Sequence, residues 1–281
     1  MSQVRVVSSY HYYDPVHAYF LAFGLNAGVK GKSVALRPHF EEFDALNRRV
    51  LERRDVDVSA VSAVNLWRIA DDYYVLRSGS TQRYDVGPVI VAKRPYAKEE
   101  IGDLTIAVPG TSFSGYFYYR LFFRARDEIV VRFDRVIDAV LKGDADLGLL
   151  IPGPATTMAY ERHGLHKVAD INEEWRRVAG DLPIPLGSYV VNKRTMTLEE
   201  AQDVREAFQS AIRYAQAHPE EALEYAVRFA PGADRSAVKT FIDGCRSIYD
   251  MGDVGMRAIM TVIELARRRG LADRAPRLEF V

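Results

Sequence analysis

Two stretches of this chain repeat one pattern, and their spacing restricts the fold more than any other feature. "YDVGPVIVAKRP" runs from Tyr84 to Pro95 and "IPLGSYVVNKRT" from Ile184 to Thr195; each has a glycine, then a β-branched run, then Lys-Arg. A β-branched run bounded by Gly and Pro reads as a strand. Between the two lies a complete series of strands and helices. Two readings are open. The segments are hinge strands, so that one α/β domain is inserted into another, or they are unrelated strands built from common strand residues.

The flanking pattern is α/β. Strands are predicted at Val4 to Ser8, Ser33 to Arg37, Val56 to Ala60 and Tyr73 to Leu76. Helices are predicted at Pro15 to Gly24, Glu41 to Arg53 and Ala63 to Ile69. Alternation of this kind predicts a mostly parallel sheet with helices on its faces. The central part has strands at Thr105 to Val108, Ile129 to Arg132 and Leu147 to Ile151, and helices at Ser114 to Phe123, Phe133 to Lys142 and Thr156 to His163. Beyond Lys193 the pattern turns helical to about Leu271; Thr197 with Glu200 makes a capping box. The 281 residues, 48% apolar, suffice for two moderate domains. The expected division is 1–90 with 188–281, and 91–187 as the insertion.

Composition removes several classes of function. Lys plus Arg and Asp plus Glu are each 38, so the basic excess of a nucleic-acid binder is missing. One cysteine, Cys245, builds neither a disulfide framework nor a cysteine-rich metal site. No apolar run approaches the roughly 20 residues of a membrane span. The N-terminal "MSQVRVVSSYHYY" has no long apolar core of a secretory signal, which points to the cytoplasm. HExxH, GxSxG, GxGxxG and zinc spacings are missing, and no metal or cofactor is expected.

Four segments remain as carriers of chemistry. In "IAVPGTSFSGYFYYRLF" a strand ends at Val108, Pro109 and Gly110 turn the chain, and Thr111, Ser112 and Ser114 lead into a helix. The start of a helix offers backbone N–H groups and a dipole to an anion. The competing reading is that Thr111 or Ser112 caps the helix. In "SSYHYYDPVHAYF", Ser8, Tyr10, His11 and Tyr12 follow the first strand: aromatic walls for a flat ligand, and one imidazole able to act as base near neutral pH. His17 is expected to pack within its helix. Ser59, Ser62 and Asn65 stand at the end of the third strand, and Arg77 and Arg83 offer weak anion partners. Pro152 and Thr156 belong to the corner of "DADLGLLIPGPATTMAY", which after its strand holds hydroxyls but no histidine, carboxylate or cysteine.

Taken together, "FEEFDALNRRVLERRDVDVSAVS", "YVLRSGSTQRYDVGPVIVAKRP", "IAVPGTSFSGYF", "VLKGDADLGLLI", "LHKVADINEEWRRVAGDLPIPLGSYVVNKR" and "DMGDVGMRAI" resemble the MqnA/MqnD family of menaquinone biosynthesis, and more its dihydroxynaphthoate synthase branch. The resemblance runs from about Phe40 to Ala258. It implies the periplasmic-binding-protein type II (Venus-flytrap) fold, with two α/β domains, two hinge strands and a helical C-terminus. It also implies a cleft between the domains that closes on an aromatic carboxylate. The pocket would draw on Ser8 to Tyr12, Ser59 to Ser62, Gly110 to Ser114 and Pro152 to Thr157. The family places a histidine base just beyond the strand that here ends at Ile151; this chain has Pro152-Gly153-Pro154 instead. The family opening, close to Ser-Pro-Cys-Pro-Asn-Asp, is here Ser8-Ser9-Tyr10-His11-Tyr12-Tyr13-Asp14.

Two functions follow as expectations. One is a carbon–carbon lyase or synthase acting on a futalosine-type compound, with His11 as base, Thr111 and Ser112 seating a carboxylate, and Tyr10 and Tyr12 holding the ring. The alternative is a non-catalytic solute-binding protein, of the ABC-transporter receptor type, for a small organic anion. The expected partner in both is a small organic anion, and the assemblies left open include a homodimer.

Overall fold

The computed structural model describes residues 3–9, 13–157 and 159–281, with the side chains of 3–9 set aside. The chain forms two compact units, residues 1–83 with 185–281 and residues 84–184. The strands in chain order are β1 (Gln3–Ser9), β2 (Val34–Phe40), β3 (Val58–Ser62), β4 (Tyr73–Val75), β5 (Thr81–Arg83), β6 (Val89–Ala92), β7 (Thr105–Val108), β8 (Asp127–Val130), β9 (Leu147–Leu150), β10 (His166–Asp170) and β11 (Ile184–Asn192).

The first unit is built on a mixed sheet of order β2-β1-β3-β11-β4, with β5 also paired to β11. β1 runs parallel to β2 and β3, and β11 runs antiparallel to β3 and β4. Strands buried along their whole length, such as β3, read as continuous apolar-and-small runs rather than alternating ones. The core beside β11 is aromatic: Tyr189 meets Phe208 edge-on at 4.9 Å, and both are fully buried. Phe208 comes from the helix Leu198–Ala217, whose capping box forms as expected, with Thr197 Oγ1 accepting from Glu200 N.

That helix also carries Asp203 into a turn before β2. Its carboxylate accepts from the backbone N–H groups of Lys32, Ser33 and Val34 at 2.6 to 2.8 Å and from the Ser33 hydroxyl. A Cβ on Gly31 would lie 2.5 Å from the carboxylate, so glycine is what lets the chain wrap the acid. Burial works to raise the Asp203 pKa, but these donors outweigh it and hold the group below the ordinary carboxylate value.

The second unit is a five-stranded sheet of order β10-β6-β9-β7-β8. β7, β8 and β9 are parallel, and β6 runs against β9 and β10. Val91, Ala107, Val136, Val140 and Leu150 form part of its core. Trp175, fully buried on the helix Ile171–Ala179, meets Tyr118 edge-on at 5.8 Å and donates its indole N–H to Leu182 O. The two look-alike segments lie in different sheets, with β6 in the second unit's sheet and β11 in the first's; their likeness is not that of a hydrogen-bonded pair.

Three elements differ from expectation. Among the described residues no α-helix runs from Thr156 to His163; the chain turns through residues 154–157, and the described residues of that stretch form a single 3-10 turn, Tyr160–His163. The helix begun at Pro15 continues past Gly24 to Asn26 through a wider π-wound stretch, Ala18–Ala22. The C-terminal tail returns to the sheet beyond the last helix: Val75 N donates to Glu279 O and Val281 N to Val75 O, covering the free edge of β4.

Candidate functional site

The second unit brings two of the nominated segments together. β7 and β9 are parallel neighbours, with Ile106 opposite Leu147 and Ala107 opposite Gly148, so their carboxyl ends open on one edge of the sheet. Ligands of open α/β sheets bind at that kind of edge. β7 ends at Val108, and Gly110 turns the chain with φ +125°, a backbone setting that favours glycine. Thr111 is exposed, Ser112 half-buried and Ser114 buried.

The helix Ser114–Phe122 then starts without a side-chain cap. Its N-cap residue is Phe113, in extended conformation, and no side chain bonds to the first turn from that position. The N-cap position is therefore held by neither Thr111 nor Ser112. The helix is held against both β9 and β8. Near its start a Cβ on Gly115 would meet Ile151, the residue after β9, at 2.2 Å, so small size there seats the helix against the β9 corner. Along its length Tyr116 and Tyr119 donate to Glu128 of β8 at 2.9 and 3.1 Å. Burial pushes both phenols up.

The corner after β9 is tied to itself. Thr156 Oγ1 donates to Ile151 O at 2.6 Å, and Gly153 N donates to Thr157 Oγ1 at 3.2 Å. The Thr156 proton is thus engaged in shaping the turn, leaving its oxygen as an acceptor. Pro152 and Thr156 are half-buried.

Sequence reasoning passed over the aromatic pair beside the turn. Phe113 stacks on Phe133 with centroids 6.2 Å apart. Arg132 pairs with Asp134 at 2.8 Å, and that guanidinium holds the Asp134 carboxyl low. The signal for Phe113 was an apolar residue wedged between Ser112 and Ser114, where a capping residue would be polar.

In the first unit β1 places Ser8 in register with Ser59. Ser59 is buried and donates to Ala60 O. Ser62 N donates to Asn47 Oδ1 at 3.2 Å, while the buried Ser62 hydroxyl has no partner. Asn65 follows half-buried. Tyr10, His11 and Tyr12 lie outside the described residues. Arg77 and Arg83 are engaged in packing: Arg77 pairs with Asp250 at 3.0 Å, and buried Arg83 donates to Phe241 O and lies over the Phe241 ring. Among the described residues no helix is long and apolar enough to cross a membrane.

Comparison with known proteins agrees with this architecture. The chain is 32% identical over 264 residues to a 1,4-dihydroxy-6-naphthoate synthase of Thermus thermophilus, covering 93% of this chain and 94% of that one. It is 30% identical over 247 residues to a protein of the same name from Streptomyces coelicolor, covering 84% of each. A solved structure from Archaeoglobus fulgidus superposes with a TM-score of 0.86 at 27% identity, covering 95% of this chain and 98% of that one. The periplasmic aliphatic sulphonate binding protein of Escherichia coli superposes at 0.66 with 11% identity, covering 98% and 90%, which shows a shared periplasmic-binding-protein-like fold and nothing more. The family described as menaquinone biosynthesis matches residues 13–268, and the chain belongs to that family.

Proposed function

We propose that the protein takes a small aromatic carboxylate, or a futalosine-type ligand, at the carboxyl edge of β7 and β9, with an anionic group on the turn from Gly110 to Ser114. The observation that carries this reading is the helix start at Ser114: a positive-φ glycine delivers it, Phe113 stands where a capping side chain would be, and ring surface from Phe113 and Phe133 lies beside it. Backbone N–H groups and the dipole at such an end favour an anion. Gly110, Thr111, Ser112 and Ser114 are assigned to the anion, and Pro152 and Thr156 to the shape of the neighbouring wall. Ser8, Tyr10, Tyr12, Ser59, Ser62 and Asn65 join the proposal through the family resemblance.

Relatives named as dihydroxynaphthoate synthases support a synthase reading; within it we assign a cytoplasmic carbon–carbon lyase or synthase with His11 as the base. One observation favours a second reading, binding without turnover: Pro152–Thr157, where the family resemblance places a base, has no titratable side chain. Calorimetric titration with 2-naphthoate and cyclic futalosine, with products followed by mass spectrometry, separates the two. Turnover of cyclic futalosine that His11→Ala abolishes establishes the lyase. Binding without turnover establishes the receptor. Absence of binding by either compound overturns the proposal.

A further inference from the structure

The side chain that follows the Tyr10–Tyr13 segment is tied to a distant strap by a buried histidine. Asp14 is the N-cap of the helix beginning at Pro15, and its Oδ1 accepts from His17 N at 3.1 Å. Its other oxygen, Oδ2, pairs with His17 Nδ1. His17 is 1% exposed, and its Nε2 lies 2.8 Å from Gly79 O. The ring stands edge-on to Tyr189 at 5.1 Å.

Gly79 is held from every side. Its N–H donates to Ile248 O at 2.7 Å, its φ is +82°, and a Cβ there would come within 2.8 Å of Tyr189. The neighbouring residues are bound in the same way. Ser78 Oγ donates to Tyr249 O, Gln82 N donates to Ser247 Oγ, and Met251 N donates to Arg77 O. The strap Arg77–Gln82 is therefore a fixed object within the first unit. The family-like stretches "LRSGSTQR" and "DMGDVG" meet in this region.

An apolar side chain would fill the His17 site without burying two ring nitrogens that each need a partner. The histidine links two segments instead, and Asp14 allows it one orientation. We propose that Asp14 and His17 are positioning residues: they fix the start of the Pro15 helix against the strap at Gly79. The affinity of the site for its anion depends on this tether. This inference rests on the reading that assigns Ser8, Tyr10 and Tyr12 to the ligand.

The test uses the full chain and the variants His17→Phe, His17→Gln and Asp14→Asn. Hydrogen exchange of the free protein reads the tether without any ligand. In His17→Phe the amides of 17–18 and of 78–80 exchange faster by about tenfold or more while those of the helix Leu198–Ala217 keep their protection. In His17→Gln, whose amide still donates to Gly79 O, most of that protection returns. Titration with 2-naphthoate then shows affinity lower by about tenfold in His17→Phe, the scale of one hydrogen bond, and partial rescue in His17→Gln. Asp14→Asn keeps an N-cap acceptor but not the carboxylate, and loosens the same two segments if His17→Phe fails to fold. Unchanged exchange at 17–18 and 78–80 in a folded variant overturns the tether. Altered exchange with unchanged 2-naphthoate affinity overturns its role in binding. If 2-naphthoate binds no form of the protein, the ligand assignment fails, and the exchange result still decides the tether.

Discussion

Two turns in this molecule lead the backbone into a strand or a helix, and they differ in the side chain at the key position: a carboxylate at one, a phenyl ring at the other. Before β2, residues 32–34 direct three N–H groups at Asp203, a carboxylate delivered from the helix Leu198–Ala217. After β7, the helix Ser114–Phe122 begins with a phenylalanine in the capping position and no side-chain cap. The first turn shows what a carboxylate does for such a cluster within this chain: it is buried, oriented by four hydrogen bonds and held ionised. In the proposed reading the ligand's anionic group takes beside Ser114 the place that Asp203 takes beside Ser33. A binding site on this view is a structural motif with its last residue left to an outside molecule.

Removing the internal carboxylate is the strongest way to break the comparison. Asp203→Ala leaves the 32–34 donors without their acceptor, and hydrogen bonds to charged groups set the expected loss at about 3 kcal/mol of unfolding free energy, read by urea denaturation. The pH dependence has a definite sign. The folded Asp203 pKa is depressed, so its contribution is complete above the unfolded value and disappears as pH falls through the folded one. Wild-type stability should therefore decline more steeply than that of Asp203→Asn below about pH 4. Parallel acid limbs for the two proteins would mean that the carboxylate is not what holds the turn.

The counterpart at the open turn is Gly110→Ala. A side chain at φ +125° strains the backbone by about 1 to 2 kcal/mol, so the variant melts earlier. Affinity for 2-naphthoate falls with it, because the N–H groups after the turn lose their aim. Loss of stability with affinity preserved would place the anion elsewhere.

The contrast between the two turns also explains what could be read from the chain. β7, its Pro-Gly turn and the following helix were legible because an apolar run, a breaker pair and a helical repeat follow one another within "TIAVPGTSFSGYFYYRLF". The helix assigned to Thr156 was wrong because Thr156 and Thr157 spend their hydroxyls on Ile151 and Gly153, a local alternative to helical bonding. β10 escaped because His166 and Lys167 are exposed on a short edge strand. The helix Ile171–Ala179 escaped because it buries little beyond Ile171, Asn172 and Trp175, although Asp170 three residues before Glu173 marks its start. The acid that closes the turn before β2 comes from a helix far along the chain, and nothing local announces it. The roles of Arg77 and Arg83 were invisible for the same reason, since their partners Asp250 and Phe241 are distant in sequence.

A smaller effect is expected at the corner beside the open turn. Thr156→Val keeps the shape and removes the hydroxyl that donates to Ile151 O, at a cost of about 1 kcal/mol. If Thr156 acts only on the turn, 2-naphthoate affinity changes by no more than about threefold, within the scatter of additive effects. A larger loss would move Thr156 from the wall to the list of direct contacts.

The smallest effect on stability discriminates most sharply. Thr111 was a candidate cap for the helix, and loss of a threonine cap costs about 1 kcal/mol. In the structure Thr111 is exposed and the capping position belongs to Phe113. Thr111→Ala should therefore leave the unfolding free energy within about 0.5 kcal/mol of the wild type, as for an ordinary surface change. Its effect belongs to binding: a hydroxyl that donates to the ligand's anionic group is absent from the free protein's hydrogen-bond network, so 2-naphthoate affinity drops while urea denaturation is unmoved. The reverse pattern, a stability loss on the scale of a cap with affinity retained, would make the two turns alike after all, each closed by the chain's own side chains with no place for an outside anion.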